Sequence, residues 1–318
     1  MELLSLLKSW QRLITVAESI TAGILMQKLI VTVTMDGTIS YPGVPHQPET
    51  SEELAEEFYK CYLAGASIAH IHGPVKKRKQ DEIHLSTMDV SQWKDLSDRV
   101  REKCDGMIIQ FGIAHGKLED RRKIMELKPD MMSINLCSHD TVFDGSINPH
   151  FNPKVPRREL YQTHTRDELE IYLKLFKELG IKPELEIFQL GGLWNFRYLL
   201  AKGLVDEPYY FNLVWEPGGL WAPHTPRELL YRVENLPANS LYTVTVFDPM
   251  TQLQLEVCSL VSGGQVRVGF EDNPYYKEGE FAKSNAQLVE RIAKISKEYG
   301  REIATPEEAR KMLNLRRR

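Results

Sequence analysis

Short apolar runs rich in β-branched residues alternate with amphipathic stretches along most of the chain. The run KLIVTVT at residues 28–34 predicts a buried strand, and residues 50–64 predict a helix with a threonine cap and an acidic first turn. The same pattern predicts seven more strands at 67–72, 106–110, 131–135, 182–187, 209–214, 241–247 and 265–268. The helices predicted between and after them cover 91–103, 118–127, 166–179, 193–202, 225–233, 252–261, 284–299 and 305–313.

Eight strands that alternate with helices require parallel pairing with helical crossovers. This count favours a closed (β/α)8 TIM barrel in a single domain over an open sheet. We assign the barrel and its C-terminal helices to residues 26–318. Residues 1–25 are either an N-terminal extension or the product of a mis-assigned start, with Met26 as the alternative. Residues 138–163, rich in Asn, Pro and Arg, read as a long insertion.

Composition narrows the classes of function. With 318 residues, 42% of them hydrophobic, the chain can bury a large core. A formal net charge of −4 does not favour nucleic acid or anionic membrane as the main partner, so a small-molecule enzyme fits better. The four cysteines are scattered, no run is apolar enough to span a membrane, and no secretory signal is evident, which predicts a reducing cytoplasm.

Candidate chemistry starts at His70 and His72. Side chains alternate along a strand, so both imidazoles should lie on one face, as half of a zinc site. A carboxylate from another strand end would supply a third ligand, and Glu271 after the eighth strand is the candidate. The alternatives are a structural histidine pair and a solvated Glu271-Asp272 pair. Other polar residues also lie at or just after the ends of predicted strands: Thr34, Asp36, Gln110, His115, Asn135, Ser138, His139, Glu186, Glu216 and Asp248.

Two segments give the chain a resemblance to the beta-keto acid cleavage enzyme family. They are AGASIAHIH at residues 64–72 and SGGQVRVGFEDNPYYKEGEFAKSNAQLVERIAKISKEYGREIATPEEARKML from Ser262. The resemblance implies a zinc-dependent barrel that exchanges the acyl part of a β-keto acid with acetyl-CoA, giving acetoacetate and a new acyl-CoA. It also implies a homo-oligomer, such as a tetramer. Position by position, it implies that His70, His72 and Glu271 bind zinc and that Arg267 and Asp272 form a catalytic dyad.

The physical interpretation of the dyad agrees with those roles. Arg267 beside Asp272 should lower the pKa of the carboxyl, which would make Asp272 an available base at neutral pH. The guanidinium itself stays charged and could orient a substrate carboxylate. The alternative is a structural salt bridge that helps to close the barrel.

The chain departs from the family pattern on the substrate side. Thr38 replaces a glutamate after the first strand, residues 111–115 replace a Ser-Thr-Gly-Gly motif, and residues 247–250 replace a stretch with glycine and arginine. We therefore expect a changed substrate, with the aminohexanoate substrate disfavoured and CoA recognition less secure. The substrate-binding candidates are Thr38, His115, Asn135 and Ser138. The alternatives to acyl exchange are a CoA-independent metal-dependent aldolase or hydrolase and a non-catalytic barrel that binds carboxylates.

Overall fold

A computed structural model describes residues 27–35, 44, 47–74, 87–113, 117–143, 158–216 and 221–316. The predicted extension at residues 1–25 lies outside these ranges. The described strands are β1 (Val31–Thr34), β2 (Ile68–Ile71), β3 (Ile108–Phe111), β4 (Met131–Asn135), β5 (His139–Phe143), β6 (Arg158–Gln162), β7 (Lys182–Ile187), β8 (Tyr209–Trp215), β9 (Ser240–Val246), β10 (Val266–Val268), β11 (Tyr275–Lys277) and β12 (Glu280–Phe281). The described helices are α1 (Ser51–Leu63), α2 (Val90–Lys103), α3 (Leu118–Met125), α4 (Arg166–Leu179), α5 (Gly192–Ala201), α6 (Pro226–Glu234), α7 (Gln252–Val261), α8 (Asn285–Tyr299) and α9 (Pro306–Met312).

Eight parallel strands form one sheet in the order β10-β1-β2-β3-β4-β7-β8-β9. The two end strands of this order also meet, because the Gln265 amide donates to the Tyr242 carbonyl at 2.6 Å. The sheet therefore curves round into a nearly closed ring, with the helices packed outside it. The prediction of a (β/α)8 barrel is confirmed, and the predicted strands and helices differ from the observed ones mainly by one to three residues at their ends.

The helices begin where the sequence supplies caps. Thr50 and Thr305 each accept a hydrogen bond from the backbone N–H three residues on, and the glutamate at that position reaches back to the cap. α4 and α8 end at Gly180 and Gly300, which adopt φ values of +69° and +89°. Glycine reaches this left-handed region without the steric cost that a Cβ brings, so both helices end cleanly.

The amino-terminal end of the ring is filled with apolar side chains. Ile30, Ile68, Ile108 and Met131 are fully buried in one cluster, together with Tyr210. α9 covers this cluster with Ala309 and the following Leu313. Arg310 on the same helix holds Asp130 at 2.8 Å, and Asp130 in turn accepts the Ile109 N–H at 2.9 Å. This end of the barrel is therefore sealed, and ligands must enter at the opposite end.

Arg301 ties the last helices to the ring. Its buried guanidinium donates to the backbone carbonyls of Leu260 at 2.8 Å, Gly264 at 2.7 Å and Gln27 at 2.8 Å. These carbonyls belong to the segments before β1 and before β10. Because β1 and β10 are neighbours in the sheet, the one side chain fixes a junction at which three segments of chain meet.

The insertion at 138–163 is more regular than its composition suggests. Within it, β5 and β6 pair antiparallel, with His139 opposite Gln162 and Thr141 opposite Leu160. This hairpin follows β4, at the carboxyl end of the strands. We predicted no strands here because the polar residues and prolines of the segment resemble those of a loop. The short β11–β12 hairpin after β10 was also not predicted.

No helix in the described ranges is long and apolar enough to cross a membrane. All four cysteines are free thiols, and Cys61, Cys104 and Cys137 are buried.

Candidate active site at the carboxyl ends of the strands

Strand register brings the first two candidate ligands to the mouth of the barrel. His70 pairs in register with Thr34 on β1 and with Gln110 on β3, near the end of β2. His72 follows two residues later, so its side chain lies on the same face. The two rings meet edge to face with centroids 4.8 Å apart, and their Nε2 atoms are 3.0 Å apart.

A tight turn after β10 delivers the other candidates. Gly269 has a φ of +144°, and a Cβ built there would lie 1.6 Å from the Thr34 carbonyl oxygen. Only glycine allows the two backbones to approach so closely. The Gly269 carbonyl then accepts the N–H groups of Asp272 at 3.1 Å and Asn273 at 3.0 Å. The chain folds back at this turn and directs Glu271 toward β2.

The three predicted ligands converge. Their candidate ligand atoms on His70, His72 and Glu271 all lie within 4.8 Å of one another. Glu271 Oε1 is 3.0 Å from His72 Nε2, and Thr34 donates its hydroxyl proton to the other oxygen of Glu271. Two imidazole nitrogens and a carboxylate oxygen are the donor set of many catalytic zinc sites with three protein ligands.

The electrostatics of the triad also fit a metal ion. Burial and the neighbouring Arg267 guanidinium hold the pKa of His70 well below its ordinary value, so the ring is neutral, as metal ligation requires. Burial disfavours the ionised form of Glu271, but His72 and Arg267 outweigh it and hold the pKa of this carboxyl well below its usual range. The triad therefore presents two nitrogens and one anionic oxygen to a common centre.

Gly112, just after β3, leaves the space that the imidazoles occupy. A Cβ at this position would lie 2.6 Å from His70 Nε2 and 2.7 Å from His72 Cε1. The Gly112 N–H donates to the Ile71 carbonyl at 2.9 Å, which fixes the backbone against the ligand-bearing strand. The absence of a side chain at residue 112 is thus part of the construction of the site.

Arg267 joins the triad to Asp272. Its Nε and Nη2 donate to the two oxygens of Asp272 at 2.9 and 2.8 Å, and Nη2 also donates to Glu271 Oε1 at 2.7 Å. Its Nη1 lies 3.2 Å from His70 Nε2. One guanidinium therefore positions two carboxylates and one imidazole.

The predicted direction of the Asp272 pKa shift was wrong. Burial raises the pKa of Asp272 to about 6, although the Arg267 guanidinium acts to lower it. The side chain is completely buried, and the neighbouring Glu271 adds a second negative charge beside the same cation. Arg267 lines the cavity, whereas Asp272 is not part of the cavity wall.

The cavity has a volume of about 410 Å³ and opens at the carboxyl ends of the strands. His70, His72, Glu271 and Arg267 form part of its wall. Asn135, His139 and Thr141, followed by residues 161–164 of the hairpin, form another part. The hairpin that the sequence did not predict therefore builds one wall of the candidate active site.

The four predicted substrate-binding residues have different locations. Asn135 lines the cavity and donates to Gln162 Oε1 at 3.1 Å. Ser138 is exposed outside the cavity wall, and its hydroxyl oxygen accepts the His164 backbone N–H at 2.8 Å. Thr38 and His115 lie outside the described residues. Of this set, the structure brings Asn135 to the cavity and directs the Ser138 hydroxyl to the base of the hairpin.

Two histidines form an aromatic section of the wall. His139 stacks on Phe188 with centroids 4.0 Å apart and lies 6.2 Å from the ring of His164. Burial lowers the pKa of His139, and burial together with His139 and Arg121 lowers the pKa of His164 to about 4. Both rings are therefore neutral at physiological pH and present polar but uncharged edges.

Two glutamates at strand ends also face the cavity. Burial raises the pKa of Glu186 to about 8, with a further contribution from Glu184, and burial raises the pKa of Glu216 to about 8. These carboxyls follow or end β7 and β8, the positions at which the sequence pattern placed them. At neutral pH they hold protons and can donate them.

Three other features of the sequence are candidate sites. A glycine pair before a helix can bind phosphate through free N–H groups; Gly191-Gly192 opens α5, and the pair at 218–219 lies outside the described ranges. A cysteine can act as a nucleophile, but burial raises the pKa of the Cys137 thiol, which disfavours a nucleophilic thiolate. Asp248 lies 3.4 Å from His224 and accepts the hydroxyl of Thr251 at 3.0 Å.

Sequence reasoning missed Arg121 and Tyr172, which line the cavity from α3 and α4. Both lie within the predicted helices 118–127 and 166–179, where no functional residue was predicted. The sequence offers no signal that separates Arg121 from Arg122, its exposed neighbour on the same helix, because the burial of Arg121 is seen only in the structure.

The fold and the site define a (β/α)8-barrel enzyme with a candidate metal triad on the face where such barrels carry their active sites. A family model described as beta-keto acid cleavage enzyme matches residues 28–315, and the chain belongs to this family. The resemblance seen in the sequence is thereby confirmed.

Named relatives agree with this assignment, and a solved structure shares the fold. The chain is 34% identical to the 3-keto-5-aminohexanoate cleavage enzyme of Fusobacterium nucleatum, over 92% of this chain and 100% of that protein. It is 27% identical to the 3-dehydrocarnitine:acetyl-CoA trimethylamine transferase of Rhizobium meliloti, over 86% of this chain and 91% of that protein. The solved ternary complex of ObcA with C4-CoA adduct and oxalate shares the fold, with a TM-score of 0.64 at 16% identity, over 85% of this chain and 68% of that chain.

Proposed function

We propose that the protein is a zinc-dependent enzyme that exchanges the acyl part of a β-keto acid with acetyl-CoA. The carbon–carbon bond beside the keto group breaks, the acetyl group joins the released two-carbon acid to give acetoacetate, and the original acyl group leaves as its CoA thioester. The convergence of His70, His72 and Glu271 beside Arg267 carries this proposal. Membership of the family and the acetyl-CoA transferase named among the relatives support it.

His70, His72 and Glu271 would hold the zinc ion, which supplies Lewis acidity toward the keto oxygen of the substrate when bound. Arg267 would orient the reacting carbonyl from the cavity wall, because Asp272 and Glu271 fix its guanidinium on two sides. We retain Asp272 as the proposed base. Because Asp272 is buried and Arg267 lines the cavity, the Arg267 side chain must shift before Asp272 can accept a proton from the substrate.

Glu186 is the better candidate for a proton donor. Its carboxyl faces the cavity, and its raised pKa of about 8 keeps it protonated at neutral pH. General acids work best with a pKa near the operating pH. Glu186 would thus deliver a proton to an oxygen or carbon that gains negative charge during the exchange.

The setting of the enzyme is also part of the proposal. Free thiols at all four cysteines are consistent with the predicted reducing cytoplasm. A homo-oligomer, such as a tetramer, remains the prediction that the family resemblance implies.

Metal analysis and turnover test the proposal together. Purified protein supplied with zinc should retain about one ion per chain, and His70→Ala should lose it. His224→Ala is the matched control, because His224 lies outside the cavity wall and should leave the metal content unchanged. Metal-loaded protein should convert a member of a β-keto acid panel only when acetyl-CoA is added.

Other outcomes would replace the proposal. Turnover without acetyl-CoA would identify a CoA-independent aldolase or hydrolase. Tight binding of keto acids without turnover across the panel would identify a non-catalytic carboxylate-binding barrel.

A further inference from the structure

An anionic substrate needs a cation in the cavity that is not already neutralised by the protein's own carboxylates. Of the three glutamates that line the described part of the cavity, Glu271 is ionised, whereas Glu186 and Glu216 carry protons at neutral pH. The arginines there are Arg121 and Arg267. Arg267 already holds both Glu271 and Asp272. A β-keto acid brings a further carboxylate, which needs a cation within reach of the cavity to offset its loss of water.

Arg121 is a cation in a suitable position. It lies in the middle of α3, only 9% of its surface is exposed, and it lines the same cavity as His72 and Glu271. Its charge acts on the cavity residue His164 and helps to lower the pKa of that ring. A guanidinium has five N–H donors in one plane, so it can bind a carboxylate while it keeps other contacts.

Tyr172 holds the guanidinium in place. Arg121 Nη1 donates to the Tyr172 hydroxyl oxygen at 2.8 Å, and the guanidinium carbon lies 5.4 Å from the centre of the tyrosine ring. Tyr172 is buried on α4, so the contact joins the two helices on either side of the hairpin insertion. An arginine held in this way loses little freedom when it binds a ligand.

Ser138, which was expected to offer its hydroxyl to the substrate, contacts the protein backbone instead. The Ser138 oxygen accepts the His164 backbone N–H at 2.8 Å, and its side chain is exposed outside the cavity wall. Residues 111–113 at the end of β3 offer Phe111, Gly112 and Ile113, none of which has a polar side chain. β3 and β4 thus provide Ser133 and Asn135 as the polar side chains on the described cavity wall, and neither is a cation.

We infer that Arg121, positioned by Tyr172, binds the carboxylate of the β-keto acid. This carboxylate is common to the substrate and to the acetoacetate product, so Arg121 would orient the acid in both directions of the exchange. The inference rests on the proposed function for the identity of its ligand. It assigns substrate binding to helices α3 and α4, away from the elements that carry the metal ligands.

Binding of acetoacetate and of its neutral methyl ester to zinc-loaded protein tests the inference. Isothermal titration calorimetry should show that wild type prefers the acid over the ester by at least about tenfold, the usual range for a charged hydrogen-bonded contact. Arg121→Gln should abolish this preference, and Arg121→Lys should restore part of it. Arg122→Gln is the control, because Arg122 is the exposed neighbour on the same helix and should bind like wild type.

Tyr172→Phe provides a milder variant in case Arg121→Gln does not fold. It keeps the ring but removes the oxygen that holds the guanidinium, so it should weaken acetoacetate binding by about three- to tenfold and leave ester binding unchanged. KM for the keto acid should rise in both variants while KM for acetyl-CoA stays constant. An acid preference that persists in Arg121→Gln, or its absence from wild type, would overturn the inference. A wild type that prefers the acid but forms no acyl-CoA would instead refute the proposed acyl exchange.

Discussion

Replacing Gly112 by alanine should damage the metal site without unfolding the barrel. The added Cβ would lie 2.6 Å from His70 Nε2, about 0.8 Å short of the 3.4 Å at which ordinary contact begins. It would also lie 2.7 Å from His72 Cε1, so both imidazoles must move. The backbone has little room to yield, because the Gly112 N–H is bonded to the Ile71 carbonyl.

The size of the effect follows from the narrow tolerance of metal coordination. Ligand distances vary by only about 0.2 Å between well-formed sites, so a displacement several times larger should cost about 100-fold in zinc affinity. The loss of folding stability should be smaller, about 1–3 kcal/mol, because the crowding is local and the rings lie at the mouth. Glycine 112 would then be a determinant of metal affinity that contributes no ligand atom.

Competition with a chromophoric chelator measures the zinc affinity, and circular dichroism during urea unfolding measures stability. Gly191→Ala is the control, because a Cβ there meets Gln189 at an ordinary 3.7 Å and the residue already has a right-handed helical conformation. If Gly112→Ala binds zinc within about threefold of wild type, the two histidines do not serve as the ligand pair in the arrangement described.

Two further predictions concern stability. Glu256 is fully buried, neither of its oxygens has a hydrogen-bond partner within the described structure, and burial raises its pKa to about 8. In the unfolded chain this carboxyl ionises near its ordinary pKa of 4.5, so the folded wild type should lose stability as pH rises from about 5 to about 8. Glu256→Gln should lose less stability than wild type over the same range. Urea midpoints measured at pH 5.5 and 8.5 check this. Equal losses in both proteins would show that Glu256 does not titrate in this way. Arg301→Lys should lower the free energy of unfolding by about 3 kcal/mol, because lysine cannot reach the three carbonyls at once. Urea unfolding checks this, with the exposed substitution Lys297→Ala as the control. Equal urea midpoints for Arg301→Lys and wild type would contradict the prediction.

The fold was predictable because its signals are local and repeated. Strand runs such as 182–187 and caps such as Thr305 specify their elements within a few residues, and eight repeats leave few topologies. The β5–β6 hairpin was missed because its pairing spans an insertion whose composition is that of a loop. Only the packing of the whole barrel shows that this segment lies against the cavity.

Some parts of the candidate site could be predicted from the sequence and others could not. Two-residue spacing places His70 and His72 on one face, but the return of Glu271 to them depends on the close approach of Gly269 to Thr34, which no periodicity encodes. The net shift of the Asp272 pKa depends on its burial, which the sequence does not state. Arg121 was missed because helical periodicity cannot tell whether a buried polar residue faces a core or a cavity.

The position of the β5–β6 hairpin separates the proposed metal ligands from part of the substrate pocket. The proposed ligands come from β2 and from the turn after β10, whereas α3, α4 and the hairpin supply another part of the pocket. During evolution, a change confined to this inserted segment could therefore alter substrate specificity and leave the proposed metal ligands unchanged. A laboratory library confined to residues 139–143 and 158–164 would explore the same route.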